Sequence, residues 1–390
     1  MWRSTQHEPK VGQSPTTRLR SPPFHEWSEL PVRRIFGQRG NTRVLSVVSV
    51  ALLLAGTSAC GGSSSTESSS SGSSAAADKQ LTLNMGVQSL VIQTYYPQLA
   101  EALGYFKDEN LKVNVTVGES TANSVQGLIG GSIDLYNGGP EGLSANEQGA
   151  DLRFIAAGSN TSIWNLVAAK GITDIKQLQG AAIGVSALQS ISTVTTRQAL
   201  AANGVDPKSL KFIVAGGSSK RFAALQAGQV KAVPLGIPVN YQASESEGFK
   251  DFGNTNDLGA PPLSGAVITV SKKWADGHKE ELRRFLRAYQ RTIDALYDPA
   301  MKDKIADIVA AGIKVDKPYV ERAIDEIFLS GKSKSMPKDA KVDPAALQTA
   351  ADAFVEFGAL KKKIDASSTI DNSYLEDAQN SLKTDPPKGS

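Results

Sequence analysis

Few side chains in this sequence of 390 residues could act as nucleophiles or soft metal ligands: it holds one cysteine, Cys60, and three histidines. Of these only His278 lies beyond residue 78. Disulfides, thiolate clusters and a Cys/His nucleophile pair are thereby excluded from residues 79–390. The same shortage argues against a zinc centre of the Cys/His type. No metal and no cofactor is expected. The side chains left to do chemistry are hydroxyls and amides placed where short apolar runs end. They are Gln88 and Ser89 in VQS, Ser120 and Thr121 in EST, Asn137 to Pro140 in NGGP, and the serines of SALQSIS (186–192). Groups of this kind hold small polar molecules by hydrogen bonds.

The lone thiol closes the run LLLAGTSAC (52–60). Val44 to Gly56 is apolar and follows Arg33, Arg34, Arg39 and Arg43. About 20 apolar residues are needed to span a membrane, so this shorter run with a basic flank reads as a secretory signal peptide. TSAC resembles a bacterial lipobox, in which the cysteine is acylated and becomes the first residue of the mature protein. Thr57 departs from the leucine usual at that place, and Thr57-Ser58-Ala59 also fits ordinary cleavage after Ala59. VRRIFGQ (32–38) resembles a twin-arginine export signal and fits an ordinary basic flank as well. Residues 1–59 are thus expected to be leader and signal peptide. Half of the 18 residues from 61 to 78 are Ser, which makes 60–78 a lipidated cysteine with a flexible tether.

Residues 1–78 carry eight Lys/Arg against five Asp/Glu, while 79–390 carry 34 of each. A neutral body with interspersed charge gives no electrostatic footprint for nucleic acid. Within it, LTLNMGV (81–87) and LKVNVTV (111–117) alternate as half-buried strands do. Further strands are expected at 133–139, 152–159, 163–170, 181–186, 211–216, 232–237 and 265–271. Helical patterns lie between them, at 97–107, 121–131 with Thr121 or Asn123 as cap, 141–149, 192–204 and 218–228. Alternation of this kind predicts an α/β fold with mostly parallel sheets. From Lys272 to Tyr297, Leu282, Phe285, Leu286, Tyr289, Ile293 and Leu296 fall on one helical stripe. Shorter helices are expected near 300–312, 317–330 and 343–359. Extended stretches near 160–170 and 262–268 suggest that the chain leaves one lobe, builds a second, and returns. Lobe one is expected over 79–168 and 268–390, lobe two over 169–267, with a ligand cleft between them.

The stretches GYFKDENLKVNV (104–115), SVQGLIGGSIDLYNGGPEGLSANEQGADLRFIAA (124–157), ITDIKQLQGAAIGVS (172–186) and FAALQAGQVKAV (222–233) together resemble the substrate-binding proteins of ABC importers. The branch they resemble is the nitrate, sulfonate and taurine binders, which includes thiamine-pyrimidine binders. Asn110 and Lys231 depart from the Gly and Asp common in that pattern, and PLGIP (234–238) lacks its frequent Trp. The resemblance implies a two-lobed periplasmic-binding-protein-like fold of type 2, each lobe a sheet flanked by helices, joined by two crossover strands. It implies a monomer outside the cytoplasm, lipid-anchored on the outer face of the cytoplasmic membrane or secreted, delivering a small solute to a permease and its ATPase. Ligand contacts are then expected at strand ends and helix starts, where unpaired N–H groups and the helix dipole favour anions. These are Gln88, Ser89, Ser120, Thr121, Asn137, Gly138, Gly139, Pro140, Ser186, Gln189, Ser190, Ser192 and Pro238, with Asn240 as a looser candidate. Tyr95, Tyr96, Tyr136 and Trp164 fit core packing better than ligand stacking, and Arg197 fits a solvated helix face. Two other functions suit the same resemblance: an enzyme acting on a pyrimidine or sulfur compound, and a ligand sensor for a membrane receptor. With Cys60 outside the body and His278 at a helix start, binding is the expected role.

Overall fold

The alternating residues of LTLNMGV and LKVNVTV form two strands paired in parallel, Leu81 opposite Leu111 and Val87 opposite Val117. The computed structural model describes residues 79–387 except 119, 247, 332 and 334. The leader, Cys60 and the tether, expected over 1–78, lie outside the described residues.

In chain order the first half holds β1 (Leu81–Val87), α1 (Tyr96–Ala102), α2 (Tyr105–Asp108), β2 (Leu111–Val117), α3 (Thr121–Gly130), β3 (Leu135–Gly138), α4 (Gly142–Glu147), β4 (Leu152–Ser159), β5 (Trp164–Ala168), β6 (Ala182–Val185) and α5 (Ile191–Ala202). It continues with β7 (Lys211–Val214), α6 (Ser218–Gln226), β8 (Ala232–Gly236), α7 (Val239–Ser246), β9 (Lys250–Asn254) and β10 (Ala266–Ser271). The rest is helical: α8 (Lys272–Gly277), α9 (Lys279–Leu296), α10 (Lys302–Ile313), α11 (Lys317–Ile324), α12 (Pro344–Glu356) and α13 (Ser373–Thr384).

Two five-stranded sheets result, ordered β2-β1-β3-β10-β4 and β7-β6-β8-β5-β9. In the first, β1 is parallel to β2 and β3, and β10 runs antiparallel to β3 and β4. The second repeats the plan, with β6 parallel to β7 and β8, and β5 antiparallel to β8 and β9. Each sheet is therefore mixed: four strands share a direction and one returns. This is the α/β fold that the alternation of strands and helices predicts.

β5 pairs in the second sheet, so the outward passage falls at residues 160–163, ahead of the 168/169 limit read from the sequence. The return passage precedes Ala266. The two passages run side by side. Ser162 Oγ lies 2.6 Å from Thr255 Oγ1, Ser162 N donates to Asn256 Oδ1 at 2.9 Å, and Asn254 Nδ2 donates to Ser162 O at 3.0 Å.

The stripe on α9 is buried as its spacing requires, Leu282, Phe285, Leu286, Tyr289, Ile293 and Leu296 all lying inside. Tyr289 packs edge-on to Tyr96 at 5.6 Å and donates to Ala157 O at 2.8 Å, which locks α9 to α1 and β4. The single helix expected over 272–297 is two, broken at His278, whose ring stacks on Trp274 at 4.5 Å. α7, β9 and α13 were not legible in the sequence. The cap of α3 is Ser120, accepting from Asn123 N at 3.3 Å, rather than Thr121 or Asn123.

Candidate functional site

β1 ends at Val87, and the side chains of the next two residues bond to groups on both sheets' loops. Gln88 Nε2 donates to Thr121 Oγ1 at 3.0 Å on its own side and lies 3.4 Å from Ser186 Oγ on the far side. Its Oε1 accepts from Gly139 N at 3.2 Å. Ser89 Oγ accepts from Ser218 N, the first residue of α6, at 3.1 Å. Gln88, Ser89 and Thr121 are all buried. Each such hydrogen bond is worth about 1 kcal/mol net, but a buried partner left unmade costs about 1–3 kcal/mol, so the loop holds the lobes in one relation.

On the second sheet Ser186, Ser190 and Ser192 form a triangle. Their hydroxyl oxygens are 2.8, 3.0 and 2.9 Å apart, and Thr193 joins at 3.2 Å from Ser190. All four are buried at the start of α5. Ser190 Oγ also donates to Ala187 O at 2.9 Å and does not cap α5. These hydroxyls therefore serve a shared network.

Asn137 to Pro140 lie opposite. Asn137 Nδ2 donates to Thr94 O at 3.1 Å, and its Oδ1 is buried without a partner. Gly138 leaves room for the Tyr136 hydroxyl, which would sit 2.1 Å from a Cβ there. A Cβ at Gly139 would lie 2.6 Å from both Glu141 Oε2 and Ile191 Cγ2. The close approach of the two lobes at this point depends on that missing side chain. Pro140 O accepts from Leu143 N at 3.0 Å and starts α4.

The remaining candidates stand apart from this network. Ser120 caps α3. Gln189 is exposed and donates to Gly358 O at 3.1 Å. Pro238 O accepts from Tyr241 N at 3.0 Å at the start of α7, and Asn240 Nδ2 donates to Asp251 Oδ2 at 2.9 Å. Tyr95 and Tyr96 are core residues. Arg197 is half-buried rather than freely solvated: its guanidinium lies 4.5 Å from the Phe212 ring centre and 5.6 Å from that of Phe357.

Three residues escaped the sequence reading. Glu141 lies just before α4, accepts from Ile191 N across the seam at 3.0 Å, and keeps Oε2 unpartnered. Burial pushes its carboxyl up to about 7, with the hydrogen bond from Ile191 N pulling the other way. It lines a cavity of about 560 Å³ with Thr121, Val125, Ser144, Ala187 and Ser190. Ser218 and Arg221 open α6; Arg221 Nη2 donates to Ser218 Oγ at 3.2 Å, and Ser218 Oγ also accepts from Gly236 N at 3.1 Å. The position of these residues in a helix's first turn was visible, but nothing local marks them as covered by the other lobe. The seam thus gathers hydroxyls, amides, one carboxylate and one guanidinium, a set suited to recognition by hydrogen bonds and charge.

The sequence matches the family described as NMT1/THI5 like over residues 94–301. No curated protein sequence matches it. Among solved structures it is similar to the periplasmic nitrate-binding protein NrtA from Synechocystis PCC 6803, with TM-score 0.66, 14% identity, and coverage of 80% of this chain and 92% of that one. It is similar to the periplasmic aliphatic sulphonate-binding protein SsuA from Escherichia coli, with TM-score 0.57, 20% identity, and coverage of 74% and 91%. The alkanesulfonate-binding protein SsuA from Xanthomonas axonopodis pv. citri, bound to MOPS, gives TM-score 0.61, 17% identity, and coverage of 75% and 99%. These are proteins of the branch that the sequence motifs resemble, and they share its two-lobed architecture. The chain belongs to the NMT1/THI5-like family and has the fold of the periplasmic solute-binding proteins.

Proposed function

We propose that this protein is the extracytoplasmic solute-binding component of an ABC importer, closing its two lobes around a small anionic or heteroaromatic solute. One observation carries the reading: buried polar side chains at strand ends and helix starts meet across the seam, Gln88 to Ser186 and Ser89 to Ser218. A solute that touches polar groups of both lobes at once binds the closed state better than the open one and so shifts the population toward it. The family match and the folds of nitrate- and sulfonate-binding proteins support the same reading. In this proposal Gln88, Ser89, Thr121, Asn137, Gly139, Ser186, Ser190 and Ser192 face the solute. The closed body then docks on a permease whose ATPase drives transport.

A thermal-shift screen of the purified chain against sulfonates, nitrate, pyrimidines and aromatic carboxylates tests this. A solute at a hundred times its Kd stabilises by about 2.7 kcal/mol, expected to raise Tm by about 4 °C for a body of this size. If none of these classes moves Tm, the solute-binding reading falls.

The reading extends to the N-terminus. Acylated Cys60 would hold the body by its Ser-rich tether on the outer face of the membrane, as a monomer with residues 1–59 removed. Cys60→Ser is expected to move the protein from the membrane fraction to the medium. Retention of the variant at the membrane would argue against the anchor.

A further inference from the structure

Arg221 is fully buried in the first turn of α6. One nitrogen, Nη2, reaches Ser218 Oγ, and the guanidinium sits 4.6 Å above the Trp164 ring. Nε and Nη1 have no partner, which leaves three N–H donors without an acceptor. None of the ion pairs among the described residues involves Arg221. Burial draws its pKa down only to about 9, so it is cationic at neutral pH. A buried charge is ordinarily paired, because taking it from water unpaired costs several kcal/mol. A desolvated cation–π contact returns about 2 kcal/mol of this and satisfies none of the N–H donors.

The place of this cation matters as much as its state. Its partner Ser218 is the residue whose N–H donates to Ser89 across the seam. Its other neighbour, Trp164, packs with Val91, Ile163 and Ala266, on the strands that pass between the lobes and the loop after β1. Trp164 Nε1 is itself buried without a partner. An uncompensated guanidinium and an unpartnered indole N–H therefore stand together where the two lobes meet.

We propose that Arg221 is the specificity-determining residue of the cleft, pairing with an oxyanion on the solute, a carboxylate or sulfonate, while Trp164 holds the guanidinium plane. This rests on the solute-binding reading and narrows it: a neutral pyrimidine is not the solute. Truncating a buried, hydrogen-bonded charge partner costs 2–5 kcal/mol or more in binding, about 30-fold or more in Kd.

The test uses matched pairs on the purified full-length chain: benzoate against benzamide, and ethanesulfonate against ethanesulfonamide. Melting shifts and calorimetric Kd are read for the wild type, Arg221→Met and Arg221→Lys. The wild type is expected to bind the anion of at least one pair and to discriminate against its neutral partner. Arg221→Met is expected to lose about 30-fold or more for that anion, while its solute-free Tm holds or rises, since an unpaired buried charge has been removed. Arg221→Lys should recover part of the affinity. Equal wild-type affinity for anion and neutral partner overturns the proposal without any variant, and so does anion binding by Arg221→Met within about threefold of wild type. Binding of neutral members alone leaves the solute-binding reading standing and overturns this one. If no member of either series binds, this proposal falls, and the solute-binding reading is decided by the wider screen that includes nitrate and pyrimidines.

Discussion

Replacing Arg287 by Met is expected to lower the stability of the body by about 3–5 kcal/mol, the range for breaking a buried ion pair by removing one partner. Arg287 and Glu109 have side chains only 4% and 6% exposed. Nε of Arg287 lies 3.0 and 2.8 Å from the two Glu109 oxygens, Nη1 donates to Ser381 Oγ at 3.0 Å, and Nη2 donates to Asp385 O at 2.7 Å. One guanidinium therefore ties the turn after α2, the long helix α9 and the C-terminal helix α13. Met keeps the apolar stem and removes every donor, leaving the Glu109 carboxylate buried. The paired variant Arg287→Met/Glu109→Gln should recover part of the loss, because the stranded charge is gone. Guanidinium unfolding midpoints measure both. A single variant within 1 kcal/mol of wild type, on the order of an exposed pair, would show that the pair is not a stabilising tie.

The second large effect is a pH dependence set by Glu141. Its carboxyl is raised by burial from the ordinary 4.5 to about 7, so the folded protein holds that proton more tightly than the unfolded chain does. The stability from this site is fully present below about 4.5 and is lost as pH rises through about 7. The swing is roughly 3 kcal/mol at 1.36 kcal/mol per pKa unit. Few charges interfere: Tyr136 on β3 lies near, and the other residues lining the adjacent cavity, Gln126, Gln148 and Gln189 among them, are uncharged. Glu141→Gln keeps an oxygen to accept from Ile191 N and removes the titration. The expected result is a wild-type Tm that falls between pH 5 and pH 8 more steeply than that of Glu141→Gln, with the variant the more stable at pH 8. If the two fall alike over this window, Glu141 is not the titrating group.

What the sequence revealed and what it hid divide along a physical line. β1, β2 and β4 were legible because strand period and burial coincide in a few contiguous residues, and α9 because its apolar stripe spans about four turns. α7 and β9 were hidden. NYQASESEG reads as polar loop and KDFGN carries charge and glycine, yet their places are fixed by neighbours far along the chain: Asp251 accepts from both Asn165 and Asn240. The site divides in the same way. Gln88 and Ser186 could be marked from their position at strand ends. Nothing local in SSKRFAAL (218–225) marks Arg221 as buried. Its guanidinium lies over Trp164, 57 positions earlier, and its partner Ser218 is itself bonded to Ser89 in the loop after β1. Arg197 misled for the same reason, since Phe357 that covers it belongs to the C-terminal region. Local pattern encodes which face of an element is apolar; it does not encode what a distant segment will lay over a polar one.

The strand order carries a consequence for how the molecule comes into being. β10 lies between β3 and β4, so the half begun first remains an unfinished sheet until the chain has been made as far as Ser271. The other half draws all five strands from the contiguous stretch between Trp164 and Asn254 and can complete its pairing earlier. The nascent chain therefore finishes its inserted middle before its own beginning. Until that happens the edges of β3 and β4 stay open, and a partner that shields exposed strand edges would have its longest window there.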